Sequence, residues 1–113
     1  MSDCLFCKIV AGQIPSKKVY EDEELLAFHD IGPKAPVHFL VVPKKHVPSL
    51  YELEKADAAL VGRLVYKAQE LARELGCEKG ARFVLNCKSD GGQTVEHLHL
   101  HVLGGRAMGW PPG

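Results

Sequence analysis

The chain has 113 residues, 46% hydrophobic and 25% charged, the make-up of one ordinary globular domain able to bury about two-thirds of the surface its unfolded form exposes. Lysine plus arginine and aspartate plus glutamate balance at 14 each, which excludes a global basic field for non-specific binding to nucleic acid or to an anionic membrane. No apolar run approaches the ~20 residues of a membrane span and no secretory leader is legible after Met1, so a reducing, cytoplasmic setting is expected, where the four cysteines serve as free thiols or metal ligands.

Cys4 to Ala11 reads as a short helix with Asp3 as N-cap and Gly12 as terminator, offering Leu5, Phe6 and Ile9 as an apolar surface. Lys18–Glu21 and Leu25–His29 flank the acidic turn at residues 22–24 and predict a hairpin. Asp30, ahead of Gly32 and Pro33, has the local signature of a turn-starting carboxylate, although the same group can accept both hydrogen bonds of a ribose diol. His38 to Val42 is nearly continuous apolar sequence closed by Pro43, a strand buried on both faces, and its leading His38 needs a partner. Lys44, Lys45 and His46 form a basic turn that in isolation reads as a solvated loop.

After Leu53 and Glu54, Leu60, Leu64, Ala68, Leu71 and Leu75 keep one helical stripe, widened by Val61, Val65 and Ala72, with Arg63, Lys67, Glu70, Arg73 and Glu74 opposite. A long amphipathic helix ending at Gly76 covers the sheet. Residues 81–86 predict a further strand, and Cys87 to Gln93 a loop containing Gly91 and Gly92. The glycines and prolines of the tail from Gly104 onward exclude regular structure there. The expected architecture is α+β: a mostly antiparallel five-stranded sheet, one long helix and a short N-terminal helix.

The stretch with the most chemistry is His97-Leu98-His99-Leu100-His101-Val102-Leu103. Imidazole alternates with aliphatic side chains at period two, which predicts a strand with its three rings on one side and Leu98, Leu100 and Val102 facing a core. Successive rings on that side start about 6.5–7 Å apart, close enough for a shared metal, a relay or a bound phosphate. A single histidine would be an ordinary structural group; three in strict alternation point to function, because imidazole can serve near neutrality as nucleophile, proton carrier or ligand. Gly91 and Gly92 allow backbone amides to approach a phosphate, though a Gly-Gly pair alone is most often a turn. Cys4 and Cys7 provide half of a tetrahedral site, and spacing does not choose among His29, His38, His46 and His97 for the remainder.

These seven residues and the Gly-Gly-Gln-Thr before them resemble the histidine triad (HIT) family of nucleotide hydrolases and transferases, whose signature is His-φ-His-φ-His-φ-φ with φ apolar. The likeness runs from Cys4 through Phe28-His29-Asp30-Ile31 and His38 to Pro43 to Trp110-Pro111-Pro112-Gly113, as a single HIT domain over 1–113 nearest the Hint branch. The resemblance implies His99 as nucleophile and His101 as phosphate ligand and donor, with Thr94, where Hint proteins usually carry serine, as a donor to the leaving amine. It further implies nucleotide contacts from Phe6, Ile9, Asp30, Ile31, Asn86, Gly92, Gln93 and Thr94, with Asp30 on the sugar and Ile31 near the base. It completes the metal set as Cys4, Cys7, His46 and His97 around a structural Zn²⁺ that the chemistry itself does not require.

The implied activity is cleavage of the P–N bond of purine nucleoside phosphoramidates by a homodimer; because a proline-stiffened tail loses little entropy on docking, Trp110 is expected to reach the neighbouring subunit and border its leaving-group pocket. The competing readings are a Fhit-like dinucleoside polyphosphate hydrolase and a non-catalytic dimeric nucleotide-binding scaffold. Gly104, Gly105 and Arg106 with the Trp-Pro-Pro-Gly ending favour the Hint-like activity over the first. An intact His97, His99, His101 and Asn86 set speaks against the second.

Overall fold

The computed structural model describes residues 3–113. A short helix α1 (Leu5–Val10) leads into β1 (Lys18–Glu21), β2 (Leu25–His29) and β3 (Val37–Pro43). The long helix α2 (Ala58–Glu74), β4 (Ala81–Val84), a one-turn helix α3 (Lys88–Gly91) and β5 (Leu100–Gly104) follow. All strand pairs are antiparallel, in the order β1-β2-β3-β5-β4. This is the expected α+β arrangement of five strands, one long helix and a short N-terminal helix.

The two faces of the sheet follow from residue parity. Leu25 and Ala27 of β2, Phe39 and Val41 of β3, and Leu100 and Val102 of β5 pack against Leu64, Ala68, Leu71 and Ala72 of α2. Leu26, Phe28, Leu40 and Val42 face the other way, onto Phe6 and Ile9 of α1. Because β2 and β3 are covered on both sides their apolar residues need not alternate, which is why β3 reads as a continuous run. Each fully buried Leu, Val or Phe in these clusters contributes about 1.5–3 kcal/mol of transfer free energy.

Helix α2 is preceded by a 3₁₀ turn, Lys55–Asp57, closed by a capping box in which the Glu54 N–H donates to the Asp57 carboxylate at 2.9 Å. Its C-terminus unwinds at Gly76, whose φ of +96° suits glycine. Val65, expected to widen the buried stripe, is exposed on the outer flank. At the far end of β5, a β-carbon on Gly104 would collide with the Cys77 sulfur, so glycine there lets the strand pass under the α2–β4 connection.

Three local differences from expectation bear on the site. The N-cap of α1 is Cys4 rather than Asp3: the Cys4 thiol accepts the Cys7 N–H at 3.3 Å, so the sulfur replaces the usual capping oxygen. The strand predicted over residues 81–86 ends at Val84. The histidine strand begins only at Leu100, because its ladder with β3 ends where Val41 faces Leu100. His97 and His99 therefore precede the strand, on a segment tied down by the Leu98 N–H donating to the Val47 carbonyl at 2.7 Å.

Candidate active site and metal centre

Parity places His38, His99 and His101 on the α1 side of the sheet, because their neighbours Phe39, Leu100 and Val102 point to α2. The His99 and His101 rings lie 4.9 Å apart between centroids, and those of His38 and His101 5.2 Å. Main-chain partners decide which nitrogen of each ring carries the proton, since a carbonyl only accepts and an amide N–H only donates.

His99 Nδ1 is 2.7 Å from the His97 carbonyl, so Nδ1–H donates there and the neutral ring keeps a free lone pair on Nε2. The Lys34 N–H donates to His38 Nδ1 at 3.0 Å, which puts the His38 proton on Nε2, 3.0 Å from His101 Nδ1. His101 thus accepts at Nδ1 and carries its own proton on Nε2. The partner that His38 was expected to need is therefore His101, with Asp30 Oδ2 at 3.5 Å behind it.

Burial pushes His38, His97, His99 and His101 all below the ordinary imidazole range. His101 falls to about 4, from burial first and then from the neighbouring His99 and His38. For His99, burial is opposed by its bond to the His97 carbonyl and by the Asp30 charge. Near neutral pH these rings are uncharged, as a nucleophilic imidazole must be.

His97 belongs to a second cluster. Its fully buried ring donates Nε2–H to the Pro43 carbonyl at 2.8 Å, leaving the Nδ1 lone pair directed elsewhere. That nitrogen lies 3.4 Å from Cys4 Sγ, 3.6 Å from Cys7 Sγ and 3.2 Å from His46 Nδ1, and Cys7 Sγ is 3.2 Å from His46 Nδ1. All four ligand atoms lie within 4.8 Å of one another. A tetrahedral ion with Zn–S of about 2.3 Å and Zn–N of about 2.0–2.1 Å separates N from S by roughly 3.5 Å and N from N by roughly 3.3 Å. The donor set and its spacings fit such an ion. His46, on a turn that reads as solvated, joins the set; His38 is committed to His101, and His29 lies outside the cluster.

Phe6 is 5% and Ile9 8% exposed, so both belong to the core beneath α1. Phe6 sets its ring edge-on to His99 with centroids 5.0 Å apart, and to Phe28 at 5.5 Å. Asp30 is half-buried; its Oδ1 accepts the Gly32 N–H at 2.7 Å, so the turn-forming role read from the local sequence is present beside His38. Ile31 is fully exposed at 101% and open to a flat ligand.

The loop expected between residues 87 and 93 contains α3, entered through Lys88 at φ +58° and left through Gly92 at φ +82°. The Gly92 N–H is taken by the Ser89 carbonyl at 3.1 Å. Gln93 braces the turn: its Oε1 accepts the Lys88 N–H at 2.8 Å, and its amide nitrogen donates to the carbonyls of Pro48 at 2.6 Å and Val95 at 2.9 Å. Half-buried Asn86 lies under this turn, its backbone 3.6 Å from where a β-carbon of Gly91 would stand. Thr94 is exposed and lines a concavity with Cys4, Leu5 and His46, on the metal-ligand side.

A neutral imidazole with one nitrogen bound to a carbonyl and the other free, next to an imidazole that presents N–H, meets the geometric needs of a nucleophilic histidine. Residues 11–108 match the HIT domain family, and the chain belongs to that family. It is 50% identical over 111 residues to an uncharacterized HIT-like protein of Synechocystis sp., covering 98% of this chain and 97% of that one. A crystal structure of a HIT family hydrolase from Legionella pneumophila superposes with a TM-score of 0.96 at 49% identity, covering 98% of this chain and all of the other. A histidine triad protein from Clostridium difficile gives a TM-score of 0.93 at 47% identity over 96% of each chain.

Proposed function

We propose that this protein hydrolyses the P–N bond of purine nucleoside phosphoramidates through a nucleotidyl-His99 intermediate, in the manner of the Hint branch. The observation that carries the proposal is the His99 ring itself: buried, neutral, with Nδ1–H held by the His97 carbonyl at 2.7 Å and Nε2 free to attack.

In the first step the Nε2 lone pair forms a bond to phosphorus, the P–N bond breaks, and its electron pair leaves on the amine nitrogen. That nitrogen takes up a proton relayed from solvent through the Thr94 hydroxyl. In the second step water attacks phosphorus, the P–Nε2 bond breaks back onto His99, and one proton returns to solvent. Overall, phosphoramidate and water give nucleoside monophosphate and amine. His101 Nε2–H, oriented through His38, donates to a nonbridging phosphate oxygen, where charge grows during displacement. Asp30 meets the ribose and Ile31 the base, while Asn86 and the α3 turn braced by Gln93 border the phosphate. Cys4, Cys7, His46 and His97 hold a structural Zn²⁺, which supplies folding free energy and no chemical step. Thiolate ligation of this kind suits a reducing cytoplasm.

The working form is a two-fold dimer. Strand β4 lies at the edge of the sheet with Phe83 exposed. The tail starts from that same edge, where the Arg82 guanidinium donates to the Gly109 carbonyl at 2.6 Å, and Trp110 stands 82% exposed. Pairing through β4 would bring each Trp110 toward its neighbour's leaving-group pocket. Removing residues 109–113 should then change selectivity among amines more than AMP binding, in a protein that still sediments as a dimer. A monomer at micromolar concentration, or unchanged selectivity, contradicts the cross-subunit role.

The test of the activity is incubation with an adenosine 5′-phosphoramidate and, separately, a diadenosine polyphosphate, followed by product analysis. Release of AMP and amine from the first, much faster than any cleavage of the second, is expected. The reverse preference makes the protein Fhit-like, and turnover of neither leaves it a nucleotide-binding scaffold.

A further inference from the structure

The ladder between β3 and β5 runs from Val37 opposite Gly104 to Val41 opposite Leu100. His101 lies inside it, facing Leu40; His99 lies one residue beyond its end. The sheet therefore orients the donor but not the nucleophile. Besides the neighbouring His101 ring, two contacts hold His99, and both lead to the four-ligand cluster. Its Nδ1–H donates to the main-chain carbonyl of His97, whose ring is pinned between the Pro43 carbonyl on one side and Cys4, Cys7 and His46 on the other. Its ring plane abuts Phe6 at 87° between planes, and Phe6 stands between Cys4 and Cys7 in the single turn that carries both thiols.

We propose that the metal cluster is the anchor of the nucleophile. A divalent ion of zinc's preference, held by Cys4, Cys7, His46 and His97, fixes the His97 carbonyl and the Phe6 ring, and these two fix the tautomer and plane of His99. His97 and Phe6 are thus positioning residues for the reaction assigned above, and the cluster does more than staple α1 to the sheet. Displacing a reacting group by about 1 Å can cost roughly 10²-fold in rate, and loss of a partner around a metal site typically costs about 10- to 100-fold. An open cluster should accordingly lower kcat about tenfold or more while leaving nucleotide affinity within about twofold, since Asp30 and Ile31 are not part of it.

The experiment uses full-length protein with ¹⁵N-labelled histidine, carrying one equivalent of zinc or stripped by a chelator, with circular dichroism to confirm the fold. His99→Ala assigns the ring signals. With zinc, His99 should show a single Nδ1–H tautomer; after stripping, its ring shifts should average between tautomers and kcat on the phosphoramidate should fall at least about tenfold, with AMP affinity nearly unchanged. If the stripped chain unfolds, His46→Ala decides, since it opens the cluster at its exposed ligand, and the same averaging is expected there in a protein whose fold circular dichroism confirms. A His99 ring unchanged in the folded stripped protein, or in folded His46→Ala where stripping unfolds the chain, overturns the anchoring. Wild-type protein that turns over no phosphoramidate would instead remove the assigned reaction, and the ring signals would still decide the anchoring.

Discussion

Toward α2, the sheet presents Leu25, Phe39, Val41, Leu100 and Val102 to a closed aliphatic layer. Toward α1, the same strands present Leu26, Phe28, Leu40 and Val42, and beyond them the rings of His38, His99 and His101. The first face needs only area and shape. The second buries polar rings, each of which must find a partner or incur a desolvation penalty of about 1–3 kcal/mol. Its partners are specific: the His97 carbonyl for His99, the Lys34 amide for His38, and His38 for His101. The four residues 99–102 thus serve stability with Leu100 and Val102 and chemistry with His99 and His101. The two functions should separate under mutation.

The largest separation comes from His99→Ala. Removing the proposed nucleophile should lower turnover by about four orders of magnitude or more, the scale seen when a covalent catalyst is deleted. AMP binding, followed by calorimetry, should persist in a protein that stays folded by circular dichroism. Substitution on the opposite face should do the converse. Leu64→Ala, at a fully buried position in the α2 layer, should cost about 2–5 kcal/mol in urea denaturation while leaving kcat per folded molecule unchanged.

A smaller effect sharpens the same contrast through pH. His101 has its pKa at about 4 when folded against an ordinary 6.5, so between those values the unfolded chain binds a proton that the folded chain does not. Stability from this group is complete above about 6.5 and is lost as pH falls toward about 4. In His101→Gln, the acid-side loss of melting temperature across that window should shrink. The acid limb of kcat/KM in the wild type should lie below 6.5, because burial lowers the His99 pKa as well.

The fold was legible because its strands carry period two or continuous β-rich runs and α2 carries an unbroken helical stripe. The triad was legible for the same reason: alternation is visible without knowing where the strand begins. What sequence could not show depends on partners distant along the chain. That the ladder stops at Leu100 is set by pairing with Val41, and the tautomer of His97 by the Pro43 carbonyl. Phe6 reads from sequence as part of an apolar surface, but its edge-on place against His99 depends on how the helix between the two cysteines packs on the sheet. Gln93 and α3 were missed as a unit because the bonds to Lys88 and Pro48 that create it leave no period to read. A clue was present in Gly92, whose positive φ is what a glycine closing a short helix supplies.

The claim on which all of this rests is that His99 Nε2 attacks phosphorus. It is tested most directly by acid-free rapid quenching of enzyme with an adenosine phosphoramidate, followed by intact and peptide mass spectrometry. An adenylyl mass on the peptide containing His99, formed and lost at rates compatible with kcat and absent from His99→Ala, is the predicted result. Steady turnover with no covalent adduct at any time, or an adduct carried on His101 or His38, would contradict it.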